Sequence, residues 1–339
     1  MPAASARPVL VITAPFDATT AVALKDAFDV RVIEPSLAGR SLADAELEVE
    51  LAQAAALVCE LDTLDERTLA LAPELRLVVS CRANPVNVDL AACTRRGVLV
   101  ATTPARNAEV TADLAFALLL DTVRGTGRAE RWLRAGNWSP QDTFAPYRQF
   151  RGIALSGRTL GLLGGGAIGR RVLGRALGFG MHVLVYDPYL EPGDLGEDAE
   201  LVSLDELLRR SDAVSVHVPL NEATKGLIGA RELSLLRPDA YLINCARAAV
   251  IDEAALVAAL AAGRLAGAGL DVFWTEPIPA DHPLLALNNV TLTPHIGGAS
   301  DDVIVEQTRI AERALRAWSA GRAPEALANP EVLGAGPSV

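Results

Sequence analysis

The sequence predicts an α/β fold of two Rossmann-like, doubly wound parallel-sheet domains, with one domain inserted into a flavodoxin-like partner. Three observations carry this reading. Short, nearly continuous apolar runs alternate with helix-length segments along the whole chain, as parallel strands covered on both faces do. A glycine fingerprint follows a strand and opens a helix near residue 160, not at the N-terminus. The chain has 339 residues, half of them hydrophobic, and is past the size at which one core tends to split.

The first hundred residues contain "VLVIT" (9–13), "VRVIE" (30–34), "ALVCE" (56–60), "LRLVVSC" (75–81) and "GVLVAT" (97–102). These β-branched runs read as the strands of one α/β unit. Next, "NAEVTADLAFALLLDTVRG" (107–125) reads as a helix with Asn107 as N-cap and apolar residues on every face. That predicts burial between domains or in a subunit interface, and with it a homodimer. A second alternation follows: "TLGLLG" (159–164), "HVLVYD" (182–187), "AVSVHV" (213–218), "AYLINC" (240–245), "GAGLDVF" (267–273) and "VTLTP" (290–294). Among the intervening helices, "SLDELL" starts at Ser203 with Glu206 placed to complete a capping box, and "DEAALVAALAAG" runs from Asp252 to Gly263. A last helix (301–321) precedes a Pro/Ala/Gly tail whose composition suits a mobile segment. The expected domains are residues 1–106 with 299–339, and residues 107–298.

Acidic residues number 42 against 31 basic ones, a net charge of −11, and no Lys/Arg block interrupts the chain, which argues against a nucleic-acid partner. Cys59, Cys81, Cys93 and Cys245 lack metal-type spacing, and most lie in or beside apolar runs. No metal is expected, and reduced thiols in a cytoplasmic protein are. The opening "MPAASARPVLVITAP" has too short an apolar run for a secretory leader. No stretch approaches the ~18 apolar residues of a membrane span.

In "TLGLLGGGAIGRRV", Gly164, Gly166 and Gly169 have the G-x-G-x-x-G spacing. The first permits a tight turn, the second lets backbone approach a pyrophosphate, and the third packs helix on strand, while the helix amides face the phosphates. The spacing alone is weak evidence, since a glycine-rich βα turn is the ordinary alternative. Asp187, at the end of the next strand and 18 residues after Gly169, is where a carboxylate meets the adenosine ribose hydroxyls. It would repel a 2′-phosphate, and "DPYLEPGD" offers no arginine to receive one. The expected cofactor is NAD.

An NAD enzyme acting on an alcohol or carbonyl needs an acid/base, a group that tunes it, and a cation for an anionic substrate. Arg247 follows "INCA", Glu276 follows "LDVFWT" and His295 follows "TLTP". All three stand at strand ends, where ligands of open α/β sheets collect. Each alone has an ordinary structural reading; three complementary types in one dinucleotide domain make catalysis the better one. His217 is a weaker acid/base candidate, and His182 and His282 read as structural.

The combination of "GLLGGGAIG", "VYDPY", "VHVPLNEATKGLI", "INCARAAVIDEAAL", "AGLDVFWTEP" and "TPHIGGAS" resembles the D-isomer-specific 2-hydroxyacid dehydrogenases, in a short phosphoglycerate dehydrogenase-like form without a regulatory domain. The resemblance covers nearly the whole chain. It implies that Arg247 binds the carboxylate and carbonyl of a small anionic substrate, that His295 exchanges a proton with the substrate oxygen, and that Glu276 hydrogen-bonds the imidazole and raises its pKa. It further implies that Asp271 lies near the nicotinamide and that Ala167, Ile168, Pro219, Thr224 and Cys245 line the NAD pocket. Gly297 and Gly298 are then expected to let the backbone pass close to the nicotinamide.

The sequence departs from the family in two places. The glycine-rich loop whose amides bind the substrate carboxylate is replaced by "CRANPVNVDL" (81–90), in which Pro85 lacks an amide donor and Asn84 is the candidate replacement. The usual "ARGG" becomes "ARAAV". The altered loop leaves open a dehydrogenase of another small anion, phosphite or formate. An NAD(H)-sensing, corepressor-like binding protein is the reading from a different class, and the complete Arg/Glu/His set weighs against it.

Overall fold

A computed structural model describes residues 7–35, 39–44 and 47–334. The first six residues and the last five of the tail lie outside the described residues. The chain divides into two compact units, Met1–Asn107 with Ser300–Val339, and Ala108–Ala299.

In the first unit, strands β1 (Val9–Ile12), β2 (Asp29–Val32), β3 (Ala54–Cys59), β4 (Leu77–Ser80) and β5 (Leu99–Thr102) form one parallel sheet in the order β2-β1-β3-β4-β5, the flavodoxin-like arrangement. Every residue of β4 and β5 is buried, which explains their unbroken apolar runs. The helix Asp301–Ser319 adds Ala311, Ala314 and Leu315 to the core that holds Leu10, Ile12, Leu77 and Val79. The tail does not hang free over its described length. The Thr102 amide donates to the Ala326 carbonyl and the Ala328 amide to that of Val100, both at 2.8 Å. The buried Asn329 side chain accepts from the Val100 amide at 2.7 Å and donates to the Val98 carbonyl at 2.9 Å. The open edge of β5 is thereby covered.

In the second unit, β6 (Thr159–Leu163), β7 (His182–Tyr186), β8 (Glu200–Leu201), β9 (Ala213–Val216), β10 (Tyr241–Asn244), β11 (Gly267–Leu270) and β12 (Val290–Leu292) form a parallel sheet in the order β12-β11-β10-β9-β6-β7-β8. This is the Rossmann order with one further strand, and its direction reverses between β6 and β9. Neighbouring side chains alternate between two cores: Leu242 joins one and Ile243 the other. The two-residue β8 is the strand that apolar patterning misses, because it sits in the charged "GEDAELVS".

The helix Ala108–Arg124 is not apolar all round. One side, with Ala112, Ala115, Phe116 and Leu119, packs into this unit's own core, where the Phe116 and Phe179 ring centroids lie 4.8 Å apart. Glu109 and Asp113 stand on the exposed side and pair with Arg171 and Arg175 of the helix Ala167–Gly178. The cover expected from another domain or subunit comes on that packed side from the unit itself. Ser203 caps its helix by accepting the Glu206 amide, but the Glu206 carboxylate turns to Arg210 at 2.6 Å, so the box is half formed. Asp252 accepts the Ala255 amide at 2.8 Å, a cap worth about 1 kcal/mol.

Candidate active site

The fingerprint lies at the sheet's switch point. Gly164 has φ of +102°, a region other residues avoid. A Cβ on Gly169 would stand 2.1 Å from the Gly164 carbonyl oxygen, so only glycine lets this helix start so close to β6. A Cβ on Gly166 would meet nothing, and no side chain caps the helix that begins at Ala167. Its first amides therefore open onto free space, as a pyrophosphate requires. Ala167 is exposed there and Ile168 half-buried. Asp187 Oδ2 accepts the Gly165 amide at 2.9 Å and Oδ1 the Tyr189 amide at 3.0 Å. The carboxylate thus ties the glycine turn to β7 and keeps further acceptor capacity for ribose hydroxyls.

Across the switch point, Thr224 Oγ1 donates to the Pro219 carbonyl at 2.5 Å, closing the turn after β9. Cys245 is buried after β10, and burial raises its thiol well above the ordinary range. These residues and the open helix terminus fit a dinucleotide. One neighbour was not visible by sequence spacing: Arg170 donates to the Asp194 carbonyl at 2.7 Å, so the segment after β7 does have an arginine against it.

Arg247, Glu276 and His295 follow β10, β11 and β12. Asn244, 1 % exposed, accepts the Ala246 amide at 2.9 Å and donates to the Arg247 carbonyl at 3.1 Å, which sets the turn from which Arg247 projects. Arg247 is exposed, and among the described residues its guanidinium bonds only the Ala246 carbonyl, at 2.7 Å. Glu276 Oε1 accepts the Phe273 amide at 2.9 Å, and Oε2 lies 2.6 Å from His295 Nδ1. A carboxylate can only accept, so Nδ1 carries the proton and Nε2 is the free ring nitrogen. Burial pushes the Glu276 carboxyl up, but the bonds from His295 and the Phe273 amide, with the His295 and Arg247 charges, outweigh it and hold the group below its ordinary range.

His295 has φ of +54°, the left-handed region that few non-glycine residues adopt, histidine more often than most. Asp271, fully buried at the end of β11, holds the loop in that shape. Its Oδ1 accepts Thr293 Oγ1 at 2.6 Å and the Ile296 amide at 2.9 Å, and its Oδ2 the Gly297 amide at 2.8 Å. Gly297 is buried rather than bordering open space; a Cβ there would stand 3.0 Å from Asp271 Oδ2. Its place is explained by packing on Asp271, whereas Gly298 is exposed.

In the first unit, Asn84 is exposed in the turn after β4. The Val86 and Val88 amides of that turn are taken by the Asn84 and Pro85 carbonyls. Burial lowers the His217 imidazole to about 4, and its Nε2 has no hydrogen-bond partner among the described residues, so this histidine is neutral at pH 7. His282 Nδ1 accepts the Leu284 amide at 3.2 Å and caps a short 3-10 turn. Sequence reasoning missed Asn244, Thr293 and Thr111, which hold the loops; Asn244 ends β10 and Thr293 directly follows β12, a local signal that Thr111, inside a helix, does not give.

Residues 116–297 match the sequence pattern of the D-isomer specific 2-hydroxyacid dehydrogenase NAD binding domain. The chain belongs to this family. It is therefore an oxidoreductase that works on CH–OH groups with a nicotinamide cofactor. The dehydrogenase is 40% identical over 277 residues to a glyoxylate reductase of Thermococcus litoralis, covering 81% of this chain and 83% of that one. Crystal structures of a D-mandelate dehydrogenase from Rhodotorula graminis (TM-score 0.81, 27% identity, 95% and 97% of the two chains) and of a glyoxylate reductase from Paecilomyes thermophila (TM-score 0.78, 28% identity, 98% and 100%) share its fold. Among the described residues of the dehydrogenase no helix is long and apolar enough to cross a membrane, and no group of three or more His, Cys, Asp and Glu residues could hold a metal ion.

Proposed function

We propose that this dehydrogenase interconverts a small 2-oxo acid and its D-2-hydroxy acid with NAD, with glyoxylate and hydroxypyruvate as the first substrates to try. The observation that carries the reading is the 2.6 Å contact of Glu276 with His295 Nδ1, which leaves Nε2 free. When bound, the nicotinamide supplies or accepts the hydride at the substrate carbon. His295 Nε2 gives a proton to the carbonyl oxygen during reduction and takes it back during oxidation. Glu276 steadies the imidazolium and fixes its tautomer. Arg247 offers a planar, permanently charged fork to the substrate carboxylate.

Asp187 favours NAD over NADP, with Arg170 as the residue that tempers this preference. Leu133, Trp138, Phe144 and Tyr147 are each more than half exposed, with the Phe144 and Tyr147 rings 5.8 Å apart, and exposed apolar side chains so close in sequence support a homodimer better than the helix Ala108–Arg124 does. The four buried free thiols fit a cytoplasmic setting. A spectrophotometric screen of 2-oxo acids with NADH is the test. Turnover of at least one of them, abolished in His295→Gln with NADH affinity kept, supports the reading. No turnover across the panel, or an active His295→Gln, overturns it.

A further inference from the structure

The loop that carries His295 is gripped from two sides, and the second grip comes from a residue far away in sequence. Thr111 Oγ1 donates to the Gly297 carbonyl at 2.7 Å, across 186 residues. Thr111 is 3% exposed on the helix Ala108–Arg124. A helical threonine ordinarily returns its hydroxyl to its own preceding turn; this one turns it outward to another segment.

The geometry shows why that bond matters. A left-handed non-glycine residue such as His295 costs about 1–3 kcal/mol and persists only where its surroundings hold it. Asp271 takes the N–H groups of Ile296 and Gly297 and so fixes the chain up to Gly297. The next peptide plane, between Gly297 and Gly298, is the most pliable of the loop, because neither residue has a Cβ to restrict it. Its orientation is set at the Gly297 carbonyl, and there Thr111 is the donor. With these three bonds made, the peptides on both sides of Gly297 are held, and with them the loop from which the imidazole reaches Glu276.

We propose that Thr111 is a positioning residue of the acid/base site, locking the Gly297–Gly298 peptide so that His295 keeps the orientation in which it exchanges a proton. This rests on the reading of His295 as the acid/base. Thr111→Val keeps the shape and removes the hydroxyl; Thr111→Ser keeps the hydroxyl. In Thr111→Val we expect kcat to fall about tenfold, less than the roughly 100-fold that a 1 Å misplacement of a reacting group can cost. We also expect the KM for NADH to stay within about twofold and the solvent deuterium isotope effect on kcat to rise as proton exchange becomes limiting. Thr111→Ser is expected to restore kcat. An unchanged kcat in Thr111→Val, equal losses of kcat and NADH affinity, or a serine variant as impaired as the valine one overturns the proposal. Should the valine variant not fold, Thr111→Ala is read in its place by the same outcomes. His295→Gln, assayed alongside, separates the two ideas: if it is inactive while Thr111→Val is normal, only the positioning role falls, and if it is active, the acid/base reading falls first.

Discussion

Glu276 Oε2 and His295 Nδ1 lie 2.6 Å apart, on loops that follow two adjacent strands of one parallel sheet. The carboxylate is also held to the backbone by the Phe273 amide, so it cannot turn away from the imidazole without breaking a second bond.

Glu276→Gln keeps an acceptor oxygen but loses the charge that balances an imidazolium. We expect kcat to fall about 10- to 100-fold with little change in NADH binding, measured by steady-state kinetics and fluorescence titration. The same variant tests the carboxyl's lowered pKa. A depressed folded value means that the charge stabilises the fold above the unfolded pKa of about 4.3, and that this is lost as pH falls through the folded value. The difference in melting temperature between wild type and Glu276→Gln should thus be present at pH 7 and shrink as the pH falls from the unfolded value through the lower folded one.

Arg247→Lys retains a cation and loses the fork. The KM for the 2-oxo acid should rise about tenfold or more while the KM for NADH holds. Equal changes in both constants would place Arg247 outside the carboxylate site.

Two glycines of the fingerprint should separate in their behaviour. Gly169→Ala forces a Cβ to within 2.1 Å of a carbonyl oxygen, and denaturant melts should show a loss of about 1–3 kcal/mol. Gly166→Ala meets no protein atom, so stability should hold while NADH affinity drops, because the added methyl occupies the space through which the phosphates approach.

Asp187→Ala removes the negative charge beside the glycine turn and the bond to the Gly165 amide. The ratio of kcat/KM for NADPH to that for NADH should rise about tenfold or more, and Arg170→Ala in that background should reverse the gain. A ratio that does not move would assign Asp187 to loop structure alone.

Features written in local pattern could be read directly from the chain. Runs such as "LRLVVSC" and "AYLINC" contain β4 and β10 because a strand buried on both faces must be apolar throughout. The strand-end positions of Arg247, Glu276 and His295 follow from where those runs stop. Features that depend on distant partners were hidden. The charged side of the helix Ala108–Arg124 makes sense only beside Arg171 and Arg175. The grip of Asp271 on Ile296 and Gly297 joins segments 25 and 26 residues apart. Arg170 reaches Asp194 from a helix that precedes Asp187 in the chain, so a search of the residues after Asp187 could not find it.

The C-terminal segment that pairs with β5 has a bearing on how the protein is made. During synthesis the second unit is contiguous and emerges whole, whereas the first cannot finish its core until Ala311, Ala314 and Leu315 leave the ribosome. A nascent chain stopped at Ala299 would carry a completed nucleotide domain beside an unfinished sheet with the β5 edge bare, the kind of surface on which strands of other molecules add. The segment from Ala311 to Ala328 is then as much a safeguard against misassembly as a part of the fold.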